Sequence, residues 1–86
     1  MISQKVMLKL KSGLHARPVS QIINHLSSYK SAARIIYAGK TANAKSMISM
    51  LTLGVRANSE IEIIMDGSNE KEEMQKFVNF LDQLED

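Results

Sequence analysis

Two short stretches of this chain carry residue types that could do chemistry. The first is Gly13-Leu14-His15-Ala16-Arg17-Pro18. It sets an imidazole two residues from a permanently charged guanidinium, beside a proline that fits the first turn of a helix. The first amides of a helix have no partners inside it, and with the helix dipole they form a local anion site. Gly13 lets the backbone approach a neighbour closely or take a positive φ. The fork of Arg17 matches phosphate oxygens. A histidine set there can accept a phosphoryl group on a free ring nitrogen, with the Ala16 and Arg17 amides holding the product dianion. The same residues can also be read as a polar helix start with a solvated surface charge, because histidine has many ordinary roles.

The second stretch is Ser46 followed by Met47-Ile48-Ser49-Met50-Leu51-Thr52-Leu53 and Gly54. Serine before an apolar segment and glycine after it frame a short helix, with Ser46 as its N-cap. Met47, Ile48, Met50 and Leu51 cannot all be buried in two turns. Either some of them form an exposed apolar patch beside His15, or they are ordinary core with one stray residue.

Other chemistry is disfavoured. The chain has no cysteine, so a disulfide framework, a thiolate nucleophile and a cysteine-based zinc site are excluded. The second histidine, His25, falls off the apolar stripe of its helix with no acid nearby; it is expected to be exposed and without function, and no metal site is expected. No apolar run approaches the roughly 20 residues of a membrane span. Met1 to Lys5 lacks the apolar core of a secretory signal. The expectation is a soluble cytoplasmic protein, one domain over residues 1–86 with a thin core.

Charge is segregated along the chain. Residues 1–58 hold nine Lys and Arg and no acid, a net of +9, whereas residues 59–86 hold nine acids against Lys71 and Lys76, a net of −7. The two blocks either neutralise each other across the fold or leave a basic face for an acidic partner. A basic nucleic-acid binder is a third reading. Against it, Phe77 and Phe80 lie in the acidic part, only Tyr29 and Tyr37 lie in the basic part, and there is no Gly-x-x-Gly clamp.

The elements that must position these residues follow from periodicity. Lys5 to Lys11 alternates as a strand, with Val6, Leu8 and Leu10 inward, and ends at Ser12-Gly13. A helix opens at Pro18, carries Val19, Ile22, Ile23 and Leu26 on one stripe, and fades at Ser27-Ser28. Ala33 to Tyr37 and Lys40 to Ala44 are strands joined by an Ala38-Gly39 turn. The Ser46 helix comes next, then a strand over Glu60 to Met65, then a turn at Asp66-Gly67. Asn69 caps the last helix with Glu72 as its capping-box partner. Glu70, Glu72 and Glu73 suit its positive end, and Met74, Phe77, Val78, Leu81 and Leu84 form its buried stripe. The order β-α-β-β-α-β-α predicts an α+β fold, one sheet with helices on one face.

Gly13-Leu14-His15-Ala16-Arg17-Pro18, Asn43-Ala44-Lys45-Ser46-Met47-Ile48 and Leu53-Gly54 resemble the histidine-containing phosphocarrier (HPr) family of the phosphoenolpyruvate-dependent sugar phosphotransferase system. The resemblance spans essentially the whole chain. It implies an open-faced β-sandwich, a four-stranded antiparallel sheet with three helices on one face. It implies that His15 accepts a phosphoryl group on Nδ1 from Enzyme I, that Arg17 steadies it, and that it passes to the A domains of sugar-specific permease complexes. Such a protein is a stoichiometric carrier rather than an enzyme, and needs no cofactor. Ser46 matches the serine modified by the ATP-dependent HPr kinase/phosphorylase, and a catabolite-control transcription regulator is the implied partner of the serine-phosphorylated form. A phosphate there is compatible with the helix start and adds a charge of about −2 beside the docking surface. Met47, Ile48 and Leu51 match the contact positions. Asn24, Ser27 and Ser49 depart from the family, making positive charge around the histidine lighter. The alternative is an HPr-like regulatory paralogue acting mainly through Ser46; the presence of His15 argues against the paralogue that lacks this histidine.

Overall fold

A computed structural model describes residues 1–11 and 13–84 of the chain. The strands are β1 Ile2–Leu8, β2 Ala32–Tyr37, β3 Lys40–Asn43 and β4 Ser59–Asp66; the helices are α1 Ala16–Leu26, α2 Met47–Leu53 and α3 Glu70–Gln83, in the order β-α-β-β-α-β-α. The four strands form one antiparallel sheet in the spatial order β1-β4-β2-β3. Period-two alternation decides which face is buried. Ile61, Ile63 and Met65 of β4 stand inward with Ala33 and Ile35 of β2, and the helices cover them with Val19, Ile22, Leu26, Met50, Met74 and Phe77. The opposite face stays open. There Lys5 lies opposite Glu62 and Met7 opposite Glu60 in the β1–β4 register. This is the open-faced sandwich of the sequence reading.

Several boundaries moved for identifiable reasons. β1 starts at Ile2 and ends at Leu8 because its ladder with β4 runs from Ile2 opposite Met65 to Leu8 opposite Ser59. Leu10 lies beyond the strand, yet is only 3 % exposed. The expected stop at Ser12 lies outside the described residues; Gly13 follows with φ +71°. Helix α1 starts at Ala16, so Pro18 is its third residue rather than its first. Proline is compatible with either place, since the N–H of each of the first three positions lacks an intrahelical acceptor. The Ala38-Gly39 turn has φ of 51° and 78°, the positive pair that a type I′ hairpin turn requires.

Two expectations for α3 and one for α1 are corrected. Asn69 is the N-cap of α3 but its side chain makes no capping hydrogen bond, so the capping box with Glu72 does not form. The carboxylate of Glu70 instead accepts the Gly67 N–H at 3.1 Å and faces the α-amino group of Met1 at 2.9 Å. His25 is not an isolated exposed side chain. Its ring stacks on Phe80 of α3 with centroids 4.0 Å apart and planes 5° apart, and its Nε2 lies 2.8 Å from the Tyr29 hydroxyl. Burial, with the nearby Lys76 charge, lowers the His25 pKa from its ordinary value.

Glu73 ties the first half of the chain to the last. It is buried, and its two oxygens accept the backbone N–H groups of Lys30 and Ser31, each at 2.9 Å. Burial pushes its carboxyl up, but the hydrogen bonds from Ser31 and Lys30 outweigh that and hold it below the usual carboxylate range. Charge segregation is not resolved by direct bridging. Among the described residues the ion pairs are those of the Met1 amino group with Asp66 and Glu70.

Candidate functional site

The loop that carries His15 is held at several points. The Gly13 N–H donates to the Leu10 carbonyl at 3.3 Å, and the Leu14 N–H donates to the Val55 carbonyl at 2.9 Å. The side chain of Leu14 is 5 % exposed within the core. His15 then takes an extended conformation, φ −112° and ψ −174°, as the N-cap of α1. Its carbonyl accepts the Val19 N–H at 3.0 Å, the first bond of the helix. Its half-buried side chain makes no capping hydrogen bond. Buried Pro18 and Val19 seat this end of the helix on the core.

The donors left at the start of α1 follow from residue type. Ala16, Arg17 and Pro18 are its first three residues. Proline has no N–H, so two amides remain, those of Ala16 and Arg17. No backbone carbonyl among the described residues accepts either. Both residues are exposed, and Arg17 makes no ion pair among the described residues. An imidazole without a capping bond, two amides with no backbone partner among the described residues, and an exposed arginine therefore lie together at one helix start. The arrangement can take a tetrahedral dianion: amides and guanidinium donate to its oxygens while a ring nitrogen bonds to its central atom.

Ser46 caps α2 as the local chemistry requires. Its Oγ accepts the Ser49 N–H at 3.3 Å, its own N–H donates to the Asn43 carbonyl at 3.0 Å, and its carbonyl accepts the Met50 N–H at 3.0 Å. Asn43 also turns back on the chain, its Oδ1 accepting the Lys45 N–H at 3.0 Å. Helix α2 ends at Gly54, which is left-handed with φ +68°. Its residues divide as two turns must: Met50 and Leu53 are buried, whereas Met47, Ile48 and Leu51 are 36 %, 79 % and 41 % exposed. Helices α1 and α2 pack against each other, so this exposed apolar strip belongs to the same side of the sheet as His15.

The exit of α2 also reaches the His15 loop. Val55, directly after Gly54, supplies the carbonyl that Leu14 bonds. Val55 is the functional-site residue that sequence reasoning passed over. The local signal for it was slight: an apolar residue after a helix-ending glycine. Ser46 stands at the opposite end of α2, about 10 Å along the axis at 1.5 Å per residue. His25 sits at the last turn of α1, about 15 Å from its start by the same rise, and takes no part in the site. The described residues contain no cluster of three or more metal-ligating side chains.

Fold and site together define a small α+β open-faced sandwich with a histidine at the uncapped start of its first helix. The family model described as the PTS HPr component phosphorylation site matches residues 2–83, and the chain belongs to the HPr family of phosphocarrier proteins. It is 33 % identical to phosphocarrier protein HPr of Buchnera aphidicola over 85 residues, 99 % of this chain and 100 % of that one. It is also 33 % identical over 82 residues to the HPr-like protein Crh of Halalkalibacterium halodurans, 95 % of this chain and 98 % of that one. The crystal structure of HPr from Bacillus anthracis superposes with a TM-score of 0.85 at 29 % identity, covering 92 % of this chain and 94 % of that one. No helix among the described residues is long and apolar enough to cross a membrane.

Proposed function

We propose that residues 1–86 act as one cytoplasmic domain that accepts a phosphoryl group from Enzyme I on His15 and passes it to the A domains of sugar-specific permeases. As the P–N bond to Nδ1 forms, the bond to the donor breaks and the donor keeps its electron pair. The Ala16 and Arg17 amides and the Arg17 guanidinium stabilise the charge on the transferred group. Transfer onward reverses these roles, so no cofactor is consumed, and the protein is a substrate of its partners rather than an enzyme. Met47, Ile48 and Leu51 form the contact patch, and methionine suits a surface that meets several partners. The HPr kinase/phosphorylase modifies Ser46, and a catabolite-control transcription regulator receives that form.

The observation that carries this reading is the His15 side chain making no capping bond beside two amides that have no backbone partner among the described residues. Incubation with Enzyme I and phosphoenolpyruvate tests it. The expected product is an acid-labile, base-stable phosphate on the wild type that is absent from His15→Ala. Wild type that stays unlabelled overturns the reading.

The equal similarity to an HPr and to an HPr-like protein supports a second reading, regulation mainly through Ser46. In that case HPr kinase and ATP label the wild type while Enzyme I does not.

A further inference from the structure

We infer that the main chain at Val55, presented by the left-handed Gly54 cap of α2, is the positioning element for His15. The inference deepens the phosphoryl-acceptor reading and rests on it.

Leu14, the residue directly before His15, donates its N–H to the Val55 carbonyl at 2.9 Å. Gly13 lies so close to the same segment that a Cβ there would collide with the Val55 carbonyl oxygen and stand 2.9 Å from the carbonyl carbon of Arg56. On the other side of Val55, Gly54 turns the chain at φ +68°. Leu53 and Val55, flanking it, are 6 % and 4 % exposed, so both are locked in the core. The chain thus leaves α2, reverses at Gly54, and aims one carbonyl at the loop that carries the imidazole. His15 sits between this anchor and the first turn of α1, with one residue of slack on neither side.

Phosphoryl transfer needs the attacking nitrogen in line with the leaving group, and a displacement of about 1 Å costs on the order of 100-fold in rate. A hydrogen bond one residue from His15, made to a core-packed segment, restricts such a displacement. The two glycines contribute differently. At Gly54 an added Cβ meets no clash, its nearest neighbour being the Thr52 carbonyl oxygen at an ordinary contact distance of 3.9 Å. Only the left-handed backbone calls for glycine there, and asparagine adopts that conformation with less strain than alanine. At Gly13 both the positive φ and the close approach exclude any side chain.

The test uses Gly13→Ala, Gly54→Ala and Gly54→Asn, each below its unfolding midpoint. Phosphotransfer from Enzyme I is separated into kcat and KM, and the His15 ring resonances of the unphosphorylated protein are recorded by NMR. Gly13→Ala should lower kcat on the order of 100-fold with KM little changed, and should shift the His15 ring resonances. Gly54→Ala should lower kcat about 10-fold, the effect of strain relieved by moving Val55, and Gly54→Asn should restore most of the loss. Equal kcat in the two Gly54 variants, or wild-type kcat and ring resonances in Gly13→Ala, overturns the inference. If Gly13→Ala does not fold, the Gly54 pair decides. If Enzyme I labels no form of the protein, the phosphoryl-acceptor reading fails separately, and the ring resonances still decide the positioning: a shift in Gly54→Ala reversed in Gly54→Asn upholds it, and unchanged resonances overturn it.

Discussion

At the start of α2 the Ser46 hydroxyl accepts the N–H of Ser49, the third residue of the helix. At the start of α1 the residue in that same third position is Pro18, which has no N–H to give. The cap residues differ to match. Serine turns its oxygen back onto its own helix, whereas His15 leaves its ring unused for capping. In α2 only the third amide is closed from within; the Met47 and Ile48 N–H groups have no backbone partner among the described residues. In α1 proline removes that third donor, and the Ala16 and Arg17 amides likewise have no backbone partner among the described residues. The difference lies in the cap side chain: serine commits its oxygen to its own helix, and histidine leaves its ring for something outside the fold.

The start of α3 shows a third arrangement. Its cap residue Asn69 makes no side-chain bond. Its acids accept N–H groups from outside the helix instead, Glu70 that of Gly67 and Glu73 those of Lys30 and Ser31. Here the carboxylates face backbone donors from other segments, so this end joins distant parts of the chain.

The sharpest way to break the comparison is at the start of α1. Arg17→Gln removes the charged fork and should slow phosphotransfer from Enzyme I on the order of 100-fold, the usual cost of losing one charge-stabilising donor. Arg17→Lys should recover part of this, because it keeps charge without the fork. Rapid-quench measurement of phosphohistidine formation reads both, and a wild-type rate in Arg17→Gln would mean that the two amides suffice.

The next effect belongs to α3. Glu73→Gln places an amide where a carboxylate met two backbone donors, and should cost about 2 kcal/mol in denaturant unfolding. The sign of its pH dependence follows from its lowered pKa. The stabilisation is present above the ordinary carboxyl value of 4.5 and is lost as pH falls through the lower folded value. The wild type should therefore lose stability on acidification over that interval more steeply than Glu73→Gln. Parallel curves for the two proteins would remove Glu73 from this role.

The smallest effect is at the start of α2. Ser46→Ala should cost about 1 kcal/mol, and Ser46→Asp, which keeps an acceptor, should cost less. Thermal or denaturant melts of the pair separate the cap from any charge effect. Equal losses in both would show that the 3.3 Å bond contributes little.

How legible these features were depends on their reach along the chain. The Ser46–Gly54 frame was readable because the cap, the first-turn amide and the left-handed end all lie within one nine-residue segment. The Gly13-to-Pro18 chemistry was readable for the same reason, though Pro18 stood third in its helix and not first. Asn69 and Glu72 carried an equally local signature that the fold did not use: the Asn69 side chain makes no capping bond, and Glu70 accepts the Gly67 N–H. The first residues of β1 showed no alternation, and only the ladder to β4 extended that strand to Ile2. The exposed strip Met47, Ile48 and Leu51 followed from counting positions on two turns.

Three contacts had no local trace: Leu14 with Val55, His25 with Phe80, and Glu73 with Lys30 and Ser31. Each joins residues about 40 or more positions apart in sequence. Capping, turn chemistry and periodicity act between groups a few residues apart, so the amino-acid order alone determined the helix starts to within a turn, the inward faces of β1 and β4 and the residues proposed to hold a phosphate. Which distant carbonyl holds the histidine loop, which ring covers His25 and which amides meet Glu73 depend on sheet register and on how the helices settle over the core. Those are collective properties of packing, and only the tertiary structure decided them.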